Sequence, residues 1–309
     1  MPEGDTLRRT AEVLRAVLAG QEVRAARGRP SGPRLELLVG RTVERVEARG
    51  KHLLIELSGG VTLHTHLGMH GSWHRYRPGE PWRLSARDAV VVLATPGAEA
   101  VCFAAPTVEL VETRALAIHP VLSRLGPDLL DPGPDLEEVL RRLRAPERAA
   151  VPVGDVLLDQ LAQAGIGNVY RSEVCFVERV DPFAAVSTLD DDTLRRLVGT
   201  ARRLLAANTG GPFRTTTGEG RRGESGGYGG SGESGGSGGW GGRPASFVAP
   251  RPRGERLWVY GRAGRPCRRC GALIRSRATG ALARRVYWCP ACQPPRARPD
   301  DSGETEEGA

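Results

Sequence analysis

Four cysteines in the C-terminal part of the chain have the spacing of a metal site. They are Cys267, Cys270, Cys289 and Cys292, two CxxC pairs with 18 residues between them. Thiolates at this spacing bind Zn2+ tetrahedrally and form closed sites that stabilise a small fold. We therefore predict a structural zinc site closed by a β-hairpin, with strands at 273–275 and 286–288. Disulfides or a redox pair are the alternatives.

Positive charge is concentrated around these cysteines. Residues 250–292 contain eleven arginines and one acid, Glu255, in a chain whose formal net charge is +8. This excess indicates a polyanionic partner, because cationic side chains that neutralise phosphates release counterions. A four-thiolate site alone carries no functional information, but an arginine-rich zinc hairpin predicts contact with nucleic-acid phosphates.

The chain shows no membrane signal. No apolar run approaches the ~18 residues that a membrane span requires. The N-terminal residues Glu3 and Asp5 are acidic where a secretory signal would be basic. We therefore expect a cytoplasmic protein, a compartment in which metal-bound cysteines are more typical than disulfides. The two remaining cysteines, Cys102 and Cys175, lie in apolar runs and are expected to be buried.

Hydrophobic periodicity indicates the elements that position these residues. Apolar residues at helical spacing predict a helix over 3–19, with Asp5 as its cap. Short apolar segments separated by Gly and Pro turns predict a sandwich or barrel over about 34–113. Helical patterns return at 136–143, 157–161 and 194–205.

The composition changes after these helices. Gly supplies 16 of the 38 residues from Asn208 to Ala245. Such a segment cannot bury enough apolar surface to offset its chain entropy, so we expect a flexible linker. The last ten residues hold five acids and no basic residue, which predicts a solvated tail.

Several short motifs occur in an order that is typical of one family. The motifs are Met1-Pro2-Glu3-Gly4, Arg49-Gly50-Lys51-His52-Leu53-Leu54, Leu125-Gly126-Pro127-Asp128, Leu158-Asp159-Gln160 with Gly165-Ile166-Gly167-Asn168, Val259-Tyr260-Gly261-Arg262 with Pro266-Cys267, and Tyr287-Trp288-Cys289-Pro290. With them the chain resembles the formamidopyrimidine-DNA glycosylase/endonuclease VIII family, and most closely its endonuclease VIII-like branch. The resemblance covers nearly everything except the Gly-rich stretch and the acidic tail.

The resemblance implies a fold and an activity. The fold is α+β and multidomain: an N-terminal β-sandwich with flanking helices, a helix–two-turn–helix domain and a C-terminal zinc hairpin. The implied domains are 1–115 (catalytic sandwich), 119–206 (helical, DNA-binding), 208–250 (linker), 251–293 (zinc hairpin) and 294–309 (tail). The implied enzyme is a bifunctional DNA glycosylase and abasic-site lyase. It would act as a monomer on duplex DNA that carries an oxidised base, by branch resemblance a pyrimidine.

The chemistry requires an amine that forms an imine with the deoxyribose C1′. A chain-terminal amine, with a pKa of ~8, is more often neutral at pH 7 than a lysine at ~10.4. Loss of Met1 would expose the secondary amine of Pro2, which the resemblance assigns as the nucleophile. Glu3 is assigned general acid/base catalysis. It also has a structural interpretation, as an acid at the positive end of the first helix.

The resemblance assigns further contacts to basic and amide side chains. Lys51 is implied to contact phosphate and to donate a proton in β-elimination, although a lysine at a strand end is ordinarily a solvated charge. Arg284, five residues before Cys289, is implied to hold phosphates and to assist δ-elimination, and Arg285 is a neighbouring candidate. Asn168 is expected to cap a helix whose N–H groups face a phosphate.

Base extrusion leaves a gap in the duplex that a side chain must fill. The loop Leu67-Gly68-Met69-His70-Gly71 resembles the void-filling loop of the family, which makes Met69 the wedge and places His70 beside it. A second metal site among the nearby histidines His64, His66, His70 and His74 is an open alternative, although no matching acidic cluster accompanies them in the sequence.

One position departs from the family pattern. Family members commonly carry a second acid where this chain has Thr6, next to Asp5. We do not transfer the role of that acid to Asp5. A functional alternative from another class also stays open at this point: a non-catalytic zinc protein that recognises damaged or single-stranded DNA.

Overall fold

The computed structural model describes residues 2–211, 214–217, 256–280 and 282–295. The predicted linker at 208–250 and tail at 294–309 therefore lie almost entirely outside the described residues. The chain forms two compact units, Met1–Arg124 with Ala207–Arg256, and Leu125–Ala206 with Leu257–Ala309. Each unit is described by itself.

The first unit contains one long helix, α1 (Gly4–Leu18), and two antiparallel four-stranded sheets. The strands are β1 (Ala25–Gly28), β2 (Val43–Arg49), β3 (His52–Leu57), β4 (Val61–His66), β5 (Ser72–Tyr76), β6 (Ala89–Ala94), β7 (Glu99–Phe103) and β8 (Thr107–Glu112). One sheet has the order β1-β6-β7-β5 and the other β2-β3-β4-β8.

Alternation along the strands accounts for the packing of the sandwich. Successive side chains point to opposite faces of a sheet, and the inward faces of both sheets bury aliphatic residues in one core, to which α1 adds its apolar stripe. The core includes Leu53 and Ile55 from one sheet, Val91 and Cys102 from the other, and Leu14 from the helix. The N-terminal β-sandwich expected from the sequence is confirmed.

The second unit combines helices with a β-hairpin. The helices are α2 (Leu136–Leu143), α3 (Val153–Val156), α4 (Asn168–Val177) and α5 (Asp191–Ala207), and the hairpin strands are β9 (Arg275–Thr279) and β10 (Arg284–Trp288). The helices bury a separate aliphatic core around Tyr170 and Cys175. Burial raises the pKa of Cys175 to about 12 and also raises that of Cys102. Both cysteines are buried, as expected, and their thiols remain neutral.

Three local expectations were wrong, each for a visible reason. The segment 157–161 is not helical: the Asp159 carboxylate accepts the N–H of Leu161, and the Gln160 amide donates to the carbonyls of Leu158 and Ile166, which turns the chain. The first hairpin strand begins at Arg275, because the N–H of Ile274 donates instead to the carbonyl of Arg265, just before Cys267. Asp5 does not cap α1, whose N-cap is Glu3.

No helix in the part of the chain that the structure describes combines the length and the apolar character of a membrane span.

Candidate active site and metal centre

The chain enters α1 directly from the predicted nucleophile. Pro2 is partly exposed, and Glu3 follows in extended backbone as the N-cap, where its carbonyl oxygen accepts the N–H groups of Thr6 (2.9 Å) and Leu7 (3.1 Å). The Glu3 side chain is fully buried. A buried carboxyl next to a terminal amine is a suitable arrangement for proton exchange with that amine or with a group bound to it.

Hydrogen bonds fix the direction of α1 on the sheet. The chain just after the helix pairs with the first residue of β2, through Gly20 N to Val43 O (2.8 Å), and Arg15 donates to the carbonyl of Val46 (2.9 Å). The helix thus runs antiparallel to β2. Its 15 residues span about 22 Å, and the seven residues of β2 span about 23 Å. The N-terminus of α1 therefore lies near Arg49, the end of β2.

The predicted lysine lies at this same end. Arg49 pairs with His52, so Gly50 and Lys51 form a two-residue hairpin between β2 and β3. Gly50 has a φ of 58°, the left-handed value that a type II′ hairpin requires at its first central position. Lys51 is the single lysine of the chain, which makes its amine chemically distinct from the 43 arginines around it.

The predicted void-filling loop is a tight, glycine-dependent turn. Gly71 donates its N–H to the carbonyl of Leu67 (2.8 Å), and a Cβ on Gly71 would lie only 2.4 Å from that oxygen. Gly68 has a φ of 58°. The turn presents Met69, 62% exposed, with His70 exposed beside it. An exposed methionine on a rigid turn has the properties of an apolar wedge.

Strand register places this loop next to the lysine hairpin. His52 pairs with His66, so the residues before β3 and after β4 emerge from the same end of their sheet. One end of the first unit therefore gathers the Pro2-Glu3 terminus, Lys51 and the Met69–His70 turn.

A hydrogen-bonded histidine chain crosses the outer face of this sheet. His64 Nδ1 lies 2.8 Å from Glu109 Oε2, and His64 Nε2 lies 2.9 Å from His52 Nδ1. His119 Nε2 also contacts Glu109 Oε2, at 3.2 Å. Burial lowers the pKa of His52 to about 3 and lowers that of His64. For Glu109, burial would raise the pKa, but the hydrogen bonds from the two histidines outweigh it and lower the value.

The partners of these histidines determine their protons. His119 Nδ1 accepts the N–H groups of Val121 and Leu122, so its proton is on Nε2 and is donated to Glu109. A carboxylate only accepts, so His64 carries its proton on Nδ1 and accepts from His52 with Nε2. His64, Glu109 and His119 are close enough to form a metal-ligand group, and Glu109 is the acid that the sequence did not reveal. A metal would need His64 Nδ1 and His119 Nε2, but both nitrogens already donate hydrogen bonds to Glu109.

The other predicted histidines have separate environments. His74 is buried between Ser72 (3.0 Å) and Tyr76 (3.1 Å), and burial lowers its pKa to about 4. His66 packs against the ring of His52. The structure therefore does not gather the predicted set of four histidines into one site.

In the second unit, Asn168 begins α4 but does not cap it. The N-cap is Gly167, with no side-chain cap hydrogen bond. The buried Asn168 amide instead donates from Nδ2 to the carbonyl of Arg285 (2.9 Å). The structure thus brings Asn168 and Arg285 together, but by fixing the hairpin backbone to the helix. The Arg285 side chain is exposed and contacts Ser276 (3.2 Å).

A buried arginine positions the predicted Arg284. The guanidinium of Arg171, on α4, donates to Asp155 Oδ1 (2.7 Å), Thr279 Oγ1 (3.1 Å) and the carbonyl of Arg284 (2.7 Å). Both ends of the hairpin turn are therefore fixed to the helix. Arg284 itself is partly exposed at the first position of β10.

Glu173 fixes the chain segment that leads into the cysteine hairpin. Its Oε1 accepts the N–H groups of Val259 (2.9 Å) and Tyr260 (2.8 Å), and its Oε2 accepts that of Trp258 (2.8 Å). A carboxylate with three backbone donors is a strong, directional anchor. Arg171 and Glu173 were not predicted from the sequence as residues that support the site. The signal available in the sequence was the pair of charges among the mostly apolar residues of 168–177.

The four cysteines converge as predicted. Their sulfur atoms all lie within 4.8 Å of one another, with Sγ–Sγ distances of 3.9 Å for Cys267–Cys292 and 3.5 Å for Cys270–Cys289. These distances are far too long for a disulfide, which needs about 2.05 Å. Four sulfurs at about 2.3 Å from a tetrahedral zinc would be about 3.8 Å apart. The residues present fit a four-thiolate metal site.

Comparisons with known proteins match both the N-terminal and the helical parts of the chain. Residues 1–106 match the model of the formamidopyrimidine-DNA glycosylase N-terminal domain, and residues 125–212 match that of the formamidopyrimidine-DNA glycosylase H2TH domain. The chain is 40% identical over 304 residues to a probable endonuclease 8 2 of Streptomyces coelicolor, covering 97% of this chain and 96% of that protein.

Two further similarities extend the comparison. A protein named DNA-(apurinic or apyrimidinic site) lyase Nei2, of Mycolicibacterium smegmatis, is 38% identical over 296 residues, covering 95% of this chain and 99% of that protein. Among solved structures, Fpg of Lactococcus lactis in complex with abasic-site DNA matches with a TM-score of 0.73 at 20% identity, covering 95% of this chain and 100% of that one. The structural match shows the fold.

Proposed function

Because the chain belongs to the formamidopyrimidine-DNA glycosylase/endonuclease VIII family, we propose that it is a bifunctional DNA glycosylase and abasic-site lyase of base excision repair. The observation that supports this most directly is the end of the first unit where three features meet. These are the Pro2-Glu3 terminus, the Lys51 hairpin and the exposed Met69 turn. A non-catalytic DNA-binding protein would need neither a buried carboxyl beside the terminal amine nor a single lysine at that end.

The proposed reaction starts at the amine that loss of Met1 would expose. The neutral nitrogen of Pro2 attacks C1′ of the damaged nucleotide, an N–C1′ bond forms and the base departs with the electrons of its glycosidic bond. The departing base takes a proton from the buried carboxyl of Glu3. The attacking nitrogen then loses its proton, and the C1′–O4′ bond breaks with a proton passed to O4′, which converts the adduct into an iminium. The iminium accepts electrons when a proton is lost from C2′, and the 3′ phosphate and then the 5′ phosphate leave in β- and δ-elimination.

Basic side chains are proposed to serve the phosphates. Lys51 would contact phosphate and donate a proton in β-elimination, since its hairpin projects from the end that holds the nucleophile. Arg284 would bind phosphate and assist δ-elimination, and Arg285 would contribute a further contact from its exposed side chain. Asn168 would act on DNA indirectly, by holding the Arg285 backbone.

The DNA substrate is proposed to be duplex with an oxidised base, a pyrimidine by similarity to the endonuclease 8 relatives. Extrusion of that base leaves a gap, which Met69 would fill with His70 stacked beside it. We propose that the protein acts as a monomer in the cytoplasm, on nucleoid DNA.

The metal of the cysteine site is proposed to be Zn2+. Cys267, Cys270, Cys289 and Cys292 would hold it as four thiolates, and it would supply folding stability to the hairpin rather than catalysis, because four protein ligands leave no open position. The hairpin then carries Arg284 and Arg285 on one of its strands.

The test compares strand incision with DNA binding on duplexes that carry one thymine glycol or one abasic site. Pro2→Gly should abolish incision of both duplexes while affinity for DNA stays nearly unchanged, and Glu3→Gln should abolish release of the base. Glu12→Gln, which changes an exposed acid on the same helix, is the matched control and should cleave normally. Full incision by both Pro2→Gly and Glu3→Gln would remove the proposed roles.

A further inference from the structure

A buried ion pair ties the first turn of α1 to a distant segment of the first unit. Arg214 donates from Nε to Asp5 Oδ2 (2.8 Å) and from Nη2 to Asp5 Oδ1 (2.5 Å). The side chains are only 3% and 1% exposed. Bidentate pairing in a desolvated place fixes both side chains in one geometry. Loss of one partner leaves an uncompensated buried charge.

Thr6 completes this pair and explains the departure from the family pattern. Its hydroxyl accepts from Arg214 Nη2 (3.1 Å) and donates to Asp5 Oδ1 (3.3 Å), and the residue is buried. A second carboxylate at position 6 would compete with Asp5 for a single guanidinium in the same buried space. Threonine therefore fits a chain in which the acid is at position 5.

The segment that carries Arg214 is itself held in place. Asn208 pairs with Thr215 in both directions, through Nδ2 to O (3.0 Å) and N to Oδ1 (2.8 Å). Thr216 donates its N–H to the carbonyl of Arg256 (2.9 Å). The guanidinium is thus delivered from a fixed backbone, and the described residues on either side of 218–255 are joined by a hydrogen bond.

The charge state of Asp5 follows from these contacts. Burial alone would raise the pKa of its carboxyl, but the charge and hydrogen bonds of Arg214 outweigh this effect and lower the value. Asp5 is therefore ionised and fully used as an acceptor by Arg214 and Thr6. It is not available as a second proton donor three residues from Pro2, which leaves that role to Glu3.

We infer that Arg214 is a positioning residue for the N-terminal nucleophile, holding the first turn of α1 through Asp5 and Thr6 so that Pro2 meets C1′ at a fixed place. This inference rests on the proposed function. Misplacement of a reacting group by about 1 Å is enough to slow a reaction by about 100-fold. The rate of imine formation is therefore the quantity that the pair should control, and DNA affinity should not depend on it.

The experiment measures the single-turnover rate of borohydride trapping on an abasic-site duplex, together with the dissociation constant for the same duplex. It is run at a temperature where circular dichroism shows each variant folded. Arg214→Gln should slow trapping by about 10- to 100-fold while the dissociation constant stays within about threefold. Arg114→Gln removes an exposed arginine that pairs with Glu112, another acid of the first unit, and this matched control should trap at the wild-type rate.

Two further variants separate positioning from folding. Asp5→Asn combined with Arg214→Gln removes both charges together and should regain part of the lost rate, because no buried charge is left unpaired. Thr6→Val removes only the hydroxyl contacts and should slow trapping by about threefold, so the test holds even if Arg214→Gln does not fold.

If folded Arg214→Gln traps at the wild-type rate, the inference is overturned. If Arg214→Gln does not fold, a wild-type trapping rate for Thr6→Val overturns it instead. Absence of any adduct from the wild-type protein would contradict the proposed function instead.

Discussion

Replacement of Glu173 by Gln should destabilise the second unit. In the wild type, the carboxylate accepts three backbone N–H groups from Trp258, Val259 and Tyr260, and the side chain is fully buried. The amide of Gln keeps one oxygen, which still accepts two of these bonds. Its NH2 group would then face the third N–H, donor against donor.

The expected loss follows from these three bonds. A hydrogen bond to a charged group contributes about 1.5–3 kcal/mol and a neutral one about 1 kcal/mol, so the two retained bonds together weaken by at least roughly 1 kcal/mol. The third N–H becomes unsatisfied in a buried place, which costs about 1–3 kcal/mol. We therefore expect the free energy of unfolding of the second unit to fall by about 3 kcal/mol.

Urea denaturation at 25 °C, followed by tryptophan fluorescence and by release of zinc to a chromogenic chelator, measures this loss. Glu137→Gln is the matched control, since Glu137 is 74% exposed and pairs only with an exposed arginine. Its effect should stay within about 0.5 kcal/mol. A cost for Glu173→Gln no larger than that of this control would show that the three hydrogen bonds to Glu173 do not stabilise the unit.

Three further outcomes are expected. Acidification from pH 7 to 5 should lower the free energy of unfolding of the first unit by about 2 kcal/mol through His52. Burial holds the pKa of folded His52 at about 3, whereas the unfolded chain gains a proton near pH 6.5, so stability is lost as the pH falls from about 6.5 towards 3. A flat stability profile in thermal melts would contradict this. Gly71→Ala should cost at least about 2 kcal/mol and reduce incision, because its Cβ meets a carbonyl at 2.4 Å; Gly97→Ala, where space is open, should cost almost nothing. Cys270→Ser should abolish stoichiometric zinc and weaken DNA binding, and unchanged zinc content by atomic absorption would refute the four-thiolate site.

Features that depend on nearby residues could be predicted from the sequence. The helix at the N-terminus and the alternating strands of the sandwich follow from periodicity, and the cysteine pairs follow from spacing. The family resemblance, confirmed by two family models and by relatives near 40% identity, supplied the order of the domains. Each of these signals is contained in a short stretch of chain.

Features that depend on pairing between distant residues could not be predicted. Arg214 meets Asp5 from 209 positions away, and Glu109 joins two histidines that the sequence separates by 55 residues. Asn168 was expected to cap its helix because local rules favour it, but its amide found a carbonyl on the hairpin instead. Tertiary hydrogen bonds of this kind compete with local preference and leave no pattern in a single sequence.

The terminal amine is the proposed nucleophile, and the composition of the chain allows a direct test of this role. Only two amines can form a reducible imine: the terminal one and Nζ of Lys51, the single lysine. Borohydride trapping on abasic-site DNA, followed by proteolysis and mass spectrometry of the adduct, assigns the attachment to one of them. Attachment to Pro2 is expected in a protein that has lost Met1, with the same adduct in Lys51→Arg. Attachment to Lys51, or an adduct-free protein that retains Met1, would contradict it.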